Sequence, residues 1–173
     1  NDKLRGSVGW FNPRVNSLGH RLRVQMRASS ILQSADAAYD VPLRDPAREK
    51  VSLAATVAKR KLSDDVRIQE LSLKPSITQV MGRWQRIVSV AVAHTETEEL
   101  VAGANIKEVD DLIVPGIVYA SVPEGYLGES LLSRSFYAEL VGSHSALGAN
   151  DNFLRLDLQA ERVFDLKPQW HLL

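Results

Sequence analysis

Along this chain apolar and polar residues alternate one for one in segment after segment, the period-two pattern of a strand with one dry face and one wet face. In Arg21-Leu22-Arg23-Val24-Gln25-Met26-Arg27-Ala28 every even position is apolar, while the odd positions hold three arginines and a glutamine. A soluble core has no use for that second face unless water lies beside it. Asn152 to Glu161 repeats the pattern, with Leu154, Leu156, Leu158 and Ala160 on one side and Arg155, Asp157, Gln159 and Glu161 on the other. Weaker copies run from Leu4 to Trp10, through Val51, Leu53, Ala55 and Val57, through Leu71, Leu73 and Ile77, and through Val88, Val90 and Val92. Between those last valines stand Ser89 and Ala91, followed by Ala93, so the wet face is expected to be crowded there. Further strands are expected at Asp36 to Leu43, Leu112 to Ser121 and Ser133 to Ser143, which makes about ten antiparallel strands in all.

Turn chemistry separates these segments at Asn12-Pro13 with Asn16-Ser17-Leu18-Gly19, at Leu43-Arg44-Asp45-Pro46, at Met81-Gly82-Arg83 and at Leu166-Lys167-Pro168. Between these fall polar links at Ser63-Asp64-Asp65, Thr95 to Asp111 and Leu147 to Asp151. One set of connections is thus expected to be short and the other long. A helix over Asp45 to Lys61 competes with the strand reading, since Ala47, Val51, Leu53 and Val57-Ala58 also fit one helical face.

In hydrocarbon a backbone N–H or C=O finds no water, so a sheet that spans a bilayer must close on itself and turn only apolar side chains to lipid. Strands of roughly 9–11 residues with outward apolar and inward polar positions follow from that requirement, and each gives a weak signal that gains weight by repetition. A soluble sandwich alternates too, but it needs large packing residues on its dry face. Here that face is mostly Leu, Val and Ala, and the chain has only four Phe and four Tyr. From pattern alone, a membrane barrel and a soluble β-sandwich or ligand-binding barrel both stand.

Composition narrows the function classes. Lys plus Arg and Asp plus Glu balance at 21 each, so no global field draws in nucleic acid, and no nucleic-acid partner is expected. Cysteine is absent, which excludes disulfides and thiolate metal sites without choosing a compartment. No apolar run is long enough for a transmembrane helix, and Asn1-Asp2-Lys3-Leu4 is not the start of a signal peptide, so the chain reads as processed or as a piece of a longer one. His94-Thr95-Glu96-Thr97-Glu98-Glu99 suggests a metal site, but a solvated acidic loop is the preferred reading because no second convergent ligand set accompanies it. Gly142-Ser143-His144-Ser145 lacks a nucleophile elbow, and Pro123 to Gly128 lacks the Lys-Ser/Thr of a phosphate loop. No catalytic residue, metal or cofactor is assigned, and an enzyme is not expected.

Trp10-Phe11-Asn12-Pro13 with Asn16-Ser17-Leu18-Gly19-His20 resembles the Trp-x-x-Pro…Asn-Ser-x-Gly-His of the TamA-type barrel in the Omp85 superfamily, to which BamA also belongs. Val41-Pro42-Leu43-Arg44-Asp45-Pro46, Lys59 to Asp64, Gly82-Arg83-Trp84-Gln85-Arg86 and Val114-Pro115-Gly116-Ile117 are similar to further turn and strand elements of that family, in the same order. The resemblance covers almost the whole of residues 1–173. It implies an all-β, antiparallel up-and-down transmembrane β-barrel, incomplete, beginning near the family's second barrel strand and stopping around the turn before its eleventh.

The resemblance further implies a non-enzymatic outer-membrane protein of a Gram-negative bacterium that helps insert other β-barrels and autotransporters. Its implied partners are the lipid bilayer, unfolded outer-membrane substrates and a periplasm-spanning TamB-like protein, the last reached through POTRA domains that have no counterpart here. A passive porin or a two-partner secretion transporter barrel is the alternative within the same fold. On either membrane reading Arg21, Arg23, Gln25, Arg27, Arg155, Asp157, Gln159 and Glu161 line a wet lumen. Leu22, Val24, Met26, Leu154, Leu156 and Leu158 face lipid, and Trp10, Trp84 and Trp170 belong to an interfacial aromatic belt.

Overall fold

A computed structural model describes residues 4–63, 65–101, 104–121, 134–162, 164–167 and 170–172, the last two stretches as backbone strands alone. Nine strands follow one another in chain order: β1 Arg5–Asn12, β2 Arg21–Ser29, β3 Leu32–Pro42, β4 Glu49–Lys61, β5 Val66–Met81, β6 Trp84–Val101, β7 Ala104–Ser121, β8 Arg134–Ser143 and β9 Phe153–Arg162. Each pairs antiparallel with the next in a single up-and-down sheet of order β1 to β9. The sheet is not closed, and β1 and β9 are its two edges. β10 Phe164–Lys167 and β11 Trp170–Leu172 form a separate antiparallel pair, so the expected tenth strand is not part of the wall.

The register carries the alternation from strand to strand. Trp10 lies opposite Val24, Val24 opposite Ala37, Ala37 opposite Ala55 and Ala55 opposite Leu73. Leu73 in turn lies opposite Val92, and Val92 opposite Ile113. Because directly opposed residues share a face, one dry face and one wet face run unbroken across the sheet. A slip of one residue in any pair would exchange them. The segment that also fitted a helix is β4, paired continuously with β3 from Lys50 to Arg60 and with β5 from Glu49 to Lys61.

Burial runs opposite to that of a globular domain. Among the described residues the only buried hydrophobic one is Ala149, whereas Asp40, Thr78, Ser89 and Ser143, all on the wet face, are buried. On the dry face Leu154, Leu156 and Leu158 are 77, 60 and 62 % exposed, and Met26, Leu53, Val57, Leu71 and Val92 are exposed as well. The wet face is therefore the enclosed, concave side, and the dry face looks outward.

Two features depart from the sequence reading. Thr95 to Asp111, expected as a polar external loop, is the distal half of the β6–β7 hairpin, paired from Thr95–Asp110 out to Val101–Ala104. Beyond the dry belt both faces are wet, so alternation in hydrophobicity vanishes although the ladder continues. The lengths of the connections also differ from expectation. The end holding residues 13–20 and 43–48 has the longer links, while the other end turns at Ser30-Ile31, with 144–152 its long exception.

Turn residues explain the sharpest reversals. Asn12 Oδ1 accepts from Arg14 N–H at 3.0 Å, and Asn16 Oδ1 accepts from the N–H groups of Leu18 and His20 at 3.1 and 3.2 Å. Gly19 follows at φ 78°. This turn is thus a self-bonded loop whose side chains stand in for missing backbone partners. Gly82, at φ 60°, opens the two-residue β5–β6 turn in the left-handed region that primed hairpin turns require. Gly82→Val should lower unfolding stability by about 1–2 kcal/mol through that backbone strain. Gly6→Ala, where an added Cβ meets nothing within 4 Å, should leave stability unchanged or raise it; denaturant midpoints of the two variants check the contrast.

Candidate functional site

The surface that can act is the wall itself, with its concave lining, its outward belt and the two rims where strands turn. Arg21, Arg23, Gln25 and Arg27 all project from β2 to the concave face, with Leu22, Val24 and Met26 opposite. Arg155, Asp157, Gln159 and Glu161 take the same face on β9, with Leu154, Leu156 and Leu158 outward. Both assignments to a face agree with the alternation. The two polar sets are not brought together, however, because they lie by opposite edges of the open sheet.

Each polar set is bonded locally. Arg27 donates to Gln25 Oε1 at 3.0 Å, and Arg21 and Gln25 lie directly across from Asp40 and Asp36. Those carboxylates are held in turn by β4, with Lys50 Nζ 3.1 Å from Asp40 Oδ2 and Thr56 Oγ1 donating to Asp36 Oδ1 at 3.0 Å. On the far side Arg155 bridges Asp157 at 2.8 Å and Glu139 at 3.4 Å, and Ser135 donates to Glu161 at 3.3 Å. Ser34 Oγ, Asp36 Oδ2, Ser52 Oγ and Ser143 Oγ are buried on the concave face without a protein partner. Such groups call for water on that face.

On β6 and β7 the lining becomes small or apolar where crowding around Ser89, Ala91 and Ala93 was expected, while β4 and β5 keep it polar with Lys50, Thr56, Ser72 and Lys74. Ser89 opposes Gly116, Ala91 opposes Val114 and Ala93 opposes Leu112. A Cβ on Gly116 would lie 2.9 Å from Val141 Cγ1, so glycine is what lets β7 and β8 approach here.

On the outward face the aromatic residues gather at one rim. Trp10 and Trp84 are there, near strand ends by the longer links, and Tyr39, Tyr119 and Phe136 join them. Trp84 meets Phe136 edge to face at 5.7 Å, and His20 meets Tyr39 at 5.5 Å with a 2.7 Å hydrogen bond between ring nitrogen and hydroxyl. Tyr39, Tyr119 and Phe136 were not picked out from the sequence, though each falls in phase with the outward set within three residues of a strand end. Trp170 lies outside the residues whose side chains are described.

The opposite rim is ionic. Past Val92, His94 Nδ1 donates to Asp111 Oδ1 at 2.7 Å, and His94 Nε2 lies 3.7 Å from Glu96, which Lys107 binds at 3.0 Å. The cluster is an ion-pair network in a ladder, and among the described residues no group of three or more His, Cys, Asp or Glu is placed to hold a metal. His144 is likewise occupied, since its Nδ1 accepts from Ala146 N–H at 3.0 Å in the β8–β9 link. Gly125 and Gly128 lie outside the described residues.

These features define an antiparallel up-and-down wall with a wet concave face and a dry outward one. No family model matches the chain, and no curated protein matches it.

The hydrogen bond to Asp111 raises the His94 pKa above the ordinary imidazole value, assisted by the charges of Asp111 and Glu96. Below that ordinary value the imidazolium network contributes fully, and the contribution is lost as pH rises through the raised one. An NMR titration of the four histidines should give His94 a midpoint above that of the unfolded chain. Asp111→Asn should bring it back down, and an unmoved midpoint would exclude the pairing.

Proposed function

We propose that this chain is a stretch of an outer-membrane β-barrel wall, from a non-enzymatic assembly factor of the Omp85 type that helps insert other barrels and autotransporters. The observation that carries the membrane part is the inverted burial: a continuous belt of Leu, Val, Ile and Met faces outward while polar side chains are enclosed. A soluble monomer rarely exposes so broad an apolar surface. A sandwich would need a second layer on the dry face, and the nine strands supply only one. On β4 and β5 the belt runs uninterrupted from Val51 to Val57 and from Leu71 to Ile77, about 20 Å along each strand at ~3.3 Å per residue, and a polar row of Glu49, Gln79 and Arg86 separates it from the aromatic rim.

The assembly role rests on the turn and strand motifs that resemble the TamA-type barrel. The proposed mechanism is templating by an open barrel seam, whose unpaired backbone groups offer a partner to an incoming strand. In this reading the bilayer and unfolded barrel substrates are the direct partners, and a TamB-like protein joins through POTRA domains. A passive porin or a two-partner secretion barrel would share the wall and lack the templating edge.

The chain has no cysteine, so single cysteines report cleanly. After folding into vesicles, Cys at 88, 90 and 92 should be shielded from water-soluble maleimide and reached by lipid-borne quenchers, and Cys at 89, 91 and 93 should show the reverse. Equal labelling at both sets would overturn the membrane wall. Val88→Arg, near mid-belt, should lower stability in the bilayer by about 2–4 kcal/mol.

A further inference from the structure

We infer that the outward rim over β3, β4 and β5 is a binding site for the phosphate headgroup of an anionic membrane lipid, an assignment that rests on the outward belt being lipid-facing. One pleat step beyond the belt residues Ala35, Val57 and Leu71, the outward positions become Gln33, Lys59 and Gln69, which oppose one another across the three strands. One further step out, Lys61 lies directly opposite Arg67.

The surroundings keep the site positive. Lys59 is flanked on both sides by amides rather than carboxylates. Arg67 faces Glu98 across β6, but Glu98 also faces Lys107, so one carboxylate is set between two cations. Of the other outward acids of that rim, Glu96 is taken by Lys107 and His94, and Asp111 by His94. Lys61 has a partner of its own, so the weight of the site falls on Lys59 and Arg67. Together with Arg60, Gln69 and the β2–β3 turn they line an open cleft of about 230 Å³. Glu98 is the only carboxylate in its lining.

Geometry selects a lipid over a free ion. The cleft begins where the apolar belt ends and on the same face, so acyl chains lying on Val57 and Leu71 would bring a headgroup phosphate level with the Lys59 and Arg67 side chains. Two amide donors, Gln33 and Gln69, stand ready for the remaining phosphate oxygens. The facing aromatic rim has no such cluster on its outward surface among the described residues; there Glu49, Gln79 and Arg86 form a chain of hydrogen bonds across β4, β5 and β6 instead.

The test uses the full chain folded into phosphatidylcholine vesicles doped with spin-labelled phosphatidylglycerol or spin-labelled phosphatidylcholine. Electron paramagnetic resonance should show the anionic label preferentially immobilised. That preference should fall about fivefold for each cation removed in Lys59→Gln and Arg67→Gln. It should return in Lys59→Arg with Arg67→Lys, and be unchanged in Lys74→Gln, a concave-face lysine. Inorganic phosphate added to undoped vesicles should bind far more weakly; equal affinity would mean a phosphate site and overturn the lipid assignment. No preference in a chain whose cysteine pattern shows insertion overturns this inference and leaves the barrel standing. A preference that survives Lys59→Gln with Arg67→Gln overturns it too, and failure to insert overturns both.

Discussion

Everything in this protein depends on the inter-strand backbone ladder, because no hydrophobic core exists to hold the sheet. Within the described wall the sole buried apolar side chain is Ala149, in a link rather than a strand. Cohesion comes instead from nine strands that bond to their neighbours in sequence, the longest hairpin running from Trp84 to Ser121. Such a ladder is exchanged against water at little net gain in solution, but in hydrocarbon the alternative is an unbonded peptide group costing several kcal/mol. The sheet is thus held most firmly in the medium its outward face demands. Register and burial are one constraint seen twice: the ladder fixes which residues share a face, and the face decides the medium.

The concave face shows what that constraint leaves over. Charges there are bonded to adjacent strands, as with Lys50 and Asp40 or Arg155 and Asp157. The sheet is nevertheless polarised from edge to edge, since Arg5, Arg21, Arg23 and Arg27 lie by β1 while Glu139, Asp157 and Glu161 lie by β9. A neutral chain therefore carries a directional field inside its curve. On the concave face the β9 edge carries Asp157 and Glu161 with Arg155 between Glu139 and Asp157, and the β1 edge carries Arg5 with the three arginines of β2 behind it, so the two edges differ in charge.

What was legible in the sequence follows from how sharply each strand contrasts its faces. β2 and β9 alternate charge against Leu, Val and Met, and every one of their residues lies on the face assigned to it. The outer half of β6–β7 was misread because Thr, Glu, Lys and Asp occupy both faces there, and polarity alone does not distinguish a solvated loop from a solvated ladder. Alternation also gives a face without a distance, which is why Arg21 to Arg27 and Arg155 to Glu161 could be assigned to one surface while their separation across the sheet could not. Tyr39, Tyr119 and Phe136 escaped for a related reason. Each is a lone aromatic in its strand, and only the register gathers them beside Trp10 and Trp84.

The two rims differ because they end the same belt in different ways. At one, aromatic rings with a polar edge or a neighbouring hydroxyl, such as Tyr39 on His20 and Trp84 over Ser121 against Phe136, cover the last apolar positions. Rings of this kind settle where hydrocarbon gives way to headgroups and tolerate small vertical shifts. At the other, the belt stops abruptly at Val57, Leu71 and Val92, followed at once by Lys59, Gln69 and His94. A charge drawn below that line loses its hydration, so the ionic rim resists displacement steeply while the aromatic rim yields. In the proposed membrane setting the wall is fixed in depth from its charged end, and the β6–β7 hairpin, which runs on past that line as paired strand, stands clear of the bilayer with its carboxylates in water.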